Sequence, residues 1–258
     1  MNNNYTTIEY NDFDPNKLFF TKFAKSNFFN DTHMNMKFGY PKYMNNKLNP
    51  FIQTPYFQLN DIGSGIPKLT EKNKIYFDTD KKREFIQVPL NQDISEQKDF
   101  TNIIRQIDSY YSSDEFKKEN FGMKAKKYYY VPLIREIINK DDDDDDDDYN
   151  INNINNNNNK YPFIKFKFET DINTNQILTS LFSTINNNRT QITNLNNIDD
   201  FKFHIKYNSE VRIIFRFVMI WHNNSQYGIR IKASKIEILD NYNIDDMKQY
   251  INVDSFID

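Results

Sequence analysis

Apolar residues recur along this chain at two periods, and the places where the period changes mark its elements. Residues 211–239, VRIIFRFVMIWHNNSQYGIRIKASKIEIL, alternate, turn and alternate again. Side chains of a strand point to opposite faces in turn. Val211, Ile213, Phe215, Phe217, Met219 and Trp221 therefore share one wholly apolar face. The other face carries Arg212, Ile214, Arg216, Val218 and Ile220, cationic at one end and apolar at the other. The returning strand sets Arg230 and Lys232 against Ile229 and Ile231. The KASK step at 232–235 breaks the alternation and predicts a β-bulge, and HNNSQYG is the turn of the hairpin.

Shorter runs precede it. Residues 17–23 and 34–41 predict strands, the second broken at Gly39 and Pro41. FIQTPYFQL, 51–59, predicts a strand whose proline puts it at an edge or a bulge. KIYFD at 74–78 and EFIQVPL at 84–90 predict a hairpin. The period then changes: Phe100, Ile103, Ile104, Ile107 and Tyr111 fall at helical spacing behind Ser95, an expected N-cap. A second short helix is expected after Ser113, and 126–138 reads as β-rich with a break at Pro132. Ile164, Phe166 and Phe168 alternate with Lys165 and Lys167 in a further strand. Residues 175–185 predict a helix of about three turns, and FKFHIKY at 201–207 predicts a strand. The sum is an α+β chain, mostly antiparallel β.

Two stretches carry no core pattern. Residues 141–159 are an aspartate block followed by an asparagine tract, expected as a disordered loop, and 185–200 is a milder case. Both read as insertions into one domain spanning 1–240, followed by an acidic tail at 241–258. The tail is expected either to pack as a terminal helix or to recruit replication proteins. The chain carries −3, but removing the eight charges of Asp141 to Asp148 leaves +5. Such segregation suits a polyanionic partner.

Aromatics make up 16% of the chain, which favours strands and stacking surfaces. The absence of cysteine excludes disulfides, zinc knuckles and thiol chemistry. No apolar run reaches bilayer-spanning length, so no membrane partner is expected. No nucleotide-phosphate glycine loop appears.

Between 201 and 235, lysines or arginines stand at 202, 206, 212, 216, 230, 232 and 235, against the single acid Glu210. A second basic cluster, with Lys126 and Lys127, adjoins Tyr128, Tyr129 and Tyr130. Cations that track phosphate and rings that stack on unpaired bases are what a single-strand groove needs, and small barrels present them on a sheet face. The candidate contacts are Lys126, Lys127, Tyr128, Tyr130, Lys165, Lys167, Arg212, Arg216, Arg230 and Lys232. Trp221 reads as a core or rim residue, and Gln53 and Thr54 as fold support or phosphate donors.

No catalytic constellation emerges. His33, His204 and His222 stand in no metal-binding frame, and the serine of GSG lies in no nucleophile motif. Glu169, Asp171, Asp199 and Asp200 leave a metal-dependent nuclease as one alternative; a structural or virion-interior protein-binding module is another. Neither a cofactor nor a resident metal is expected.

FIQTPYF at 51–57, the turn at Gly63, KDFTNIIRQIDSY at 98–110, YVPLIRE at 130–136 and the W…YGIRIKASKIEIL ending at 221–239 together resemble single-stranded DNA-binding proteins of nucleocytoplasmic large DNA viruses. The segment order matches over roughly residues 15 to 240, and the Asp and Asn insertions depart from it. The resemblance implies an OB-like β-barrel with flanking helices. It also implies a replication, recombination or repair context in a viral factory, nucleus or virion, and single-stranded DNA, or RNA in its place, as the partner.

Overall fold

A computed structural model describes residues 6–25, 36–44, 49–71, 74–136 and 160–239. The expectations for the Asp block, for His33 and for the acidic tail lie outside them. The strands are β1 (Thr7–Glu9), β2 (Leu18–Phe20), β3 (Lys37–Gly39), β4 (Pro41–Tyr43), β5 (Phe51–Gln53), β6 (Phe57–Gln58) and β7 (Phe85–Pro89). They continue with β8 (Tyr129–Val131), β9 (Ile134–Arg135), β10 (Phe163–Phe168), β11 (Ser180–Ile185), β12 (Asn188–Ile192), β13 (Glu210–His222) and β14 (Gln226–Leu239). The α-helices are α1 (Asp80–Arg83), α2 (Ser95–Ser112), α3 (Asp114–Phe121) and α4 (Ile198–His204).

The β13–β14 hairpin is the spine of a 12-stranded sheet that curls as a half-barrel. The free edge of β13 takes β6, β5 and β3 in turn, all antiparallel. That of β14 takes β11, β10 and β8, all parallel. β7 and β9 add to β10, β12 to β11 and β1 to β5, while β2 and β4 pair separately. Antiparallel pairings dominate, so the chain is α+β as the patterning predicts. The expected bulge is present: pairing slips between Ile214/Lys235 and Phe215/Ala233. A second irregularity falls between Phe217 and Met219. Bulges add twist to the long hairpin.

One face of the sheet is the core. Phe215 meets Phe100 of α2 edge-on at 6.2 Å and Phe166 of β10 at 5.1 Å, and Phe57 meets Phe100 at 5.7 Å. Each such buried ring stabilises by about 1.5–3 kcal/mol. α2 buries Phe100, Ile104, Ile107 and Tyr111 along one stripe, as its spacing predicts. Asp108, on the same helix, accepts hydrogen bonds from the Tyr130 hydroxyl (2.8 Å) and the Leu133 and Ile134 amides. These pin the Pro132 break between β8 and β9 onto α2.

Five local expectations are overturned. Ser95 is the first helical residue rather than the cap, since Ile94 holds that position; Ser113 does cap α3, accepting from the Phe116 amide. Residues 74–78 form turns, and β7 pairs with β10 instead of with them. Residues 180–185 are strand β11, not helix, because β14 leaves a free edge and Thr179 is pinned to it, its hydroxyl donating to the Ala233 carbonyl (2.7 Å). FKFHIKY is largely helical: Asn197 and Asp200 form a capping box that starts α4, and Ile198, Phe201 and Ile205 bury at helical spacing. The asparagine-rich 185–200 stretch is thus built structure. Asn186 and Asn187, with φ of 49° and 64°, make the tight turn from β11 to β12.

Candidate functional site

The face of the sheet opposite α2 is where the cations gather. Register decides this, since residues paired across strands share a face. Arg216 pairs with Lys232, Lys232 with Lys167, and Lys167 with Phe85, so one row crosses β13, β14, β10 and β7. Two residues along, Lys165 lies opposite Gln87, and Phe163 opposite Arg135. In the other direction Ile214 pairs with Lys235 and Arg212 with Glu237; Phe182 flanks Glu237, and Arg189 of β12 pairs with Thr184. Lys165, Lys167, Arg212, Arg216, Arg230 and Lys232, six of the candidate contacts, therefore lie on one open face.

Carboxylates enter this face from outside the acid-poor stretch. Glu169, just past β10, accepts from Arg216 Nε at 2.7 Å and lies 3.6 Å from Lys232 Nζ. Glu237 accepts from Arg212 (2.6 and 2.9 Å), Arg189 (2.6 Å) and the Thr184 hydroxyl (2.6 Å). Burial raises the Glu237 pKa, but the hydrogen bonds from Thr184, Arg212 and Arg189 outweigh it and leave it lowered. Arg212 also lies over the Tyr56 ring at 4.6 Å. A small cleft of about 120 Å³ opens here between Gln53, Phe182, Arg189, Arg212 and Lys235.

The other end lacks such compensation. Lys165, Lys167, Arg230 and Arg135 form no ion pair among the described residues. Lys165 instead rests over the Phe85 and Phe163 rings at 4.9 and 5.3 Å. Its amine is pushed down to about 8, first by burial, then by Arg135 and Lys167. Burial also lowers Lys167, helped by Arg230 and Lys232, and lowers Arg230.

The aromatics are distributed differently from the expectation. Tyr128 stacks on Phe121 at 3.9 Å, and Tyr130 turns inward to Asp108 and Tyr227. Both rings are committed to packing. Tyr129 between them is 68% exposed and, by alternation, faces the open side. Trp221 shares that side: it pairs with Gly228, whose missing Cβ leaves room for the indole edge and for Val131. Lys126 and Lys127 are exposed on the 3₁₀ turn leading into β8, at the same end.

Thr54 belongs to the fold: its buried hydroxyl accepts from the Ile213 amide (3.0 Å) and donates to the Pro55 carbonyl (2.8 Å). Gln53 donates to Glu9 across the β1–β5 pair. The four acids of the nuclease alternative are each engaged elsewhere. Glu169 holds Arg216, Asp171 closes a turn through the Asn173 and Thr174 amides, Asp199 pairs with buried Arg83, and Asp200 caps α4. Among the described residues no three His, Asp or Glu side chains converge. His222 is buried against Phe23, Phe121 and Tyr128, and burial lowers its pKa. A wider groove of about 520 Å³, walled by Phe203, His204, Lys206, Tyr207 and Leu239, was not signalled by sequence.

No protein-family model matches this chain. Over 99 residues it is 28% identical to a protein of Acanthamoeba polyphaga mimivirus described only as uncharacterised. The alignment takes in 38% of this chain and 24% of that relative, so the match spans about a quarter of the relative's length.

Proposed function

We propose that this protein binds single-stranded DNA without catalysing a reaction, holding the strand along the open face of the sheet. One observation carries the reading: cations from β9, β10, β12, β13 and β14 share a single face with exposed or half-buried rings at one end. Lysines and arginines there neutralise phosphates, and Tyr129 and Trp221 offer π-faces to unpaired bases. Lys126 and Lys127 extend the basic track past β8. Contacts of this kind are common to every base, so binding is only weakly sequence-dependent. The finer fold reading that goes with it is an OB-like barrel, supported by the curl of the sheet, its bulged central hairpin and the packing of α2. The similarity to a mimivirus protein supports a viral setting, with replication, recombination or repair as the process.

Titration of labelled oligo(dT), oligo(rU) and duplex DNA at low salt tests this. The reading expects the single strands to bind more tightly than the duplex, and K167Q with R230Q to weaken that binding. Absence of oligo(dT) binding at low salt removes the reading and leaves a protein-binding module in its place.

A further inference from the structure

The cations of the open face fall into two groups that differ in what neutralises them. Around Arg212, Arg189, Arg216 and Lys232, Glu237 and Glu169 each bridge two cations. Where β9, β10 and β14 adjoin, Lys165, Lys167, Arg230 and Arg135 have no carboxylate partner among the described residues. The second group is compact. Arg230 stands two residues before Lys232, the partner of Lys167, and its charge acts on Lys167; Arg135 pairs with Phe163, two residues before Lys165, and its charge acts on Lys165. Neighbouring strands run about 5 Å apart.

The corner is also closed on one side. Phe85 and Phe163 form a wall against Lys165, and buried Gln87 beyond it is bridged through its backbone to Gly65. A strand laid along the open face toward β7 would run into this wall. A phosphodiester brings one negative charge to such a place. A phosphate monoester brings about −1.5 to −2 and three acceptor oxygens, a closer match to clustered, unpartnered cations.

We propose that this corner is a discrete site for a phosphate monoester dianion, carried on the end of a bound strand or on a free nucleotide. The strand-end form rests on reading the open face as a single-strand track and adds to it a preference for the strand's terminus. The titration of Lys165 supports the site. The charged groups acting on it are Arg135 on β9 and Lys167 on its own strand, with the uncharged Phe85, Phe163 and Gln87 around it, while Arg230 on β14 acts on Lys167. Glu84 acts on Lys167, and Asp108 acts on Arg135 from the core side. An amine held down to about 8 by burial and by cations gains most from an arriving dianion.

Fluorescence polarisation with oligo(dT) of one length, ending in 5′-hydroxyl, 5′-phosphate or 3′-phosphate, tests the proposal at low salt and pH 7. One phosphorylated end should tighten binding by about tenfold or more. K165M and R230Q should weaken the hydroxyl-ended oligomer only modestly and bring the ratio of phosphorylated to hydroxyl-ended affinity within each variant to one. The gain should fade between pH 7 and pH 9 in the wild type and persist in K165R. Thymidine monophosphate as competitor separates the two sources: displacement supports a free-nucleotide site, and its absence alongside an end-phosphate gain supports a strand terminus. Equal affinity for all three oligomers with no displacement by thymidine monophosphate overturns the proposal and leaves strand binding standing. Failure of every oligomer to bind removes the strand track instead. In that case, thymidine monophosphate binding by wild type and not by R230Q retains the corner, and its absence overturns both.

Discussion

Replacing Lys165 with Met should stabilise the protein at neutral pH while weakening its hold on nucleic acid. The amine sits half-buried over Phe85 and Phe163, near Arg135 and Lys167, with no ion-pair partner among the described residues, and its pKa falls from 10.5 to about 8. A tenfold loss of proton affinity corresponds to about 1.4 kcal/mol, so the cost of keeping the amine charged has an upper bound of about 3.5 kcal/mol. Solvent reaching the half-buried side chain screens part of this, and the aromatic contacts return about another 0.5–1 kcal/mol. A gain of about 1–2 kcal/mol is therefore expected for K165M at pH 7. The sign with pH follows from linkage. For a base whose folded pKa is lowered, the unfolded chain binds more protons between the two pKa values, so stability rises with pH there. The penalty is full below about 8 and gone above 10.5. Urea denaturation of both proteins at pH 7 and pH 10.5 should show the K165M advantage shrinking to near zero at the higher pH. A K165M protein less stable than wild type at pH 7, or an advantage equal at both pH values, refutes the reasoning.

The compensated part of the face should behave in the opposite way. E237Q leaves Arg212 and Arg189 without their shared carboxylate and should cost about 2–4 kcal/mol at pH 7. Because the Glu237 pKa is lowered, that contribution exists above the unfolded carboxylate pKa and is lost as pH falls through the folded one, so the gap between the two proteins in denaturation should narrow progressively in acid. Y129A should leave thermal stability unchanged and weaken oligo(dT) binding by about 1–3 kcal/mol, whereas Y128A should lower the melting temperature through loss of the Phe121 stack and leave the affinity of the folded protein near wild type. G39A should destabilise by about 1–3 kcal/mol in chemical denaturation, because a Cβ at that position in β3 would clash with the Thr21 carbonyl oxygen and lie 2.9 Å from Ile220 Cγ2.

Strand alternation made the spine of the fold legible. The β13–β14 hairpin, its bulge beside Lys235, the stripe of α2 and the cap at Ser113 all follow from local chemistry. What local chemistry does not reveal is which edge is free. Residues 180–185 could satisfy a helical spacing, and β14's open edge decided otherwise. The α4 capping box is written in residues whose composition reads as low complexity. The cationic face was legible residue by residue, because Lys165, Lys167, Arg212, Arg216, Arg230 and Lys232 alternate with core side chains. Its neutralising acids were not, since Glu169 and Glu237 lie beyond the ends of the basic run and arrive through pairing. The tyrosine triplet shows the same limit: alternation sets Tyr129 against Tyr128 and Tyr130, and only the pairing of Tyr130 with buried Tyr227 makes the side of Tyr129 the open one.

The central claim is that phosphates are held by the cations of the open face, foremost those with no ion-pair partner among the described residues. The most direct test is the salt dependence of oligo(dT) affinity for the wild type and for the K167Q/R230Q double variant. On a logarithmic plot each neutralised phosphate contributes a slope of about −0.7 for single strands. The account predicts a wild-type slope between about −3 and −4, and a double-variant slope shallower by about 1.4 with the fold intact. A wild-type affinity indifferent to salt, or a slope unchanged when both cations are removed, would contradict it.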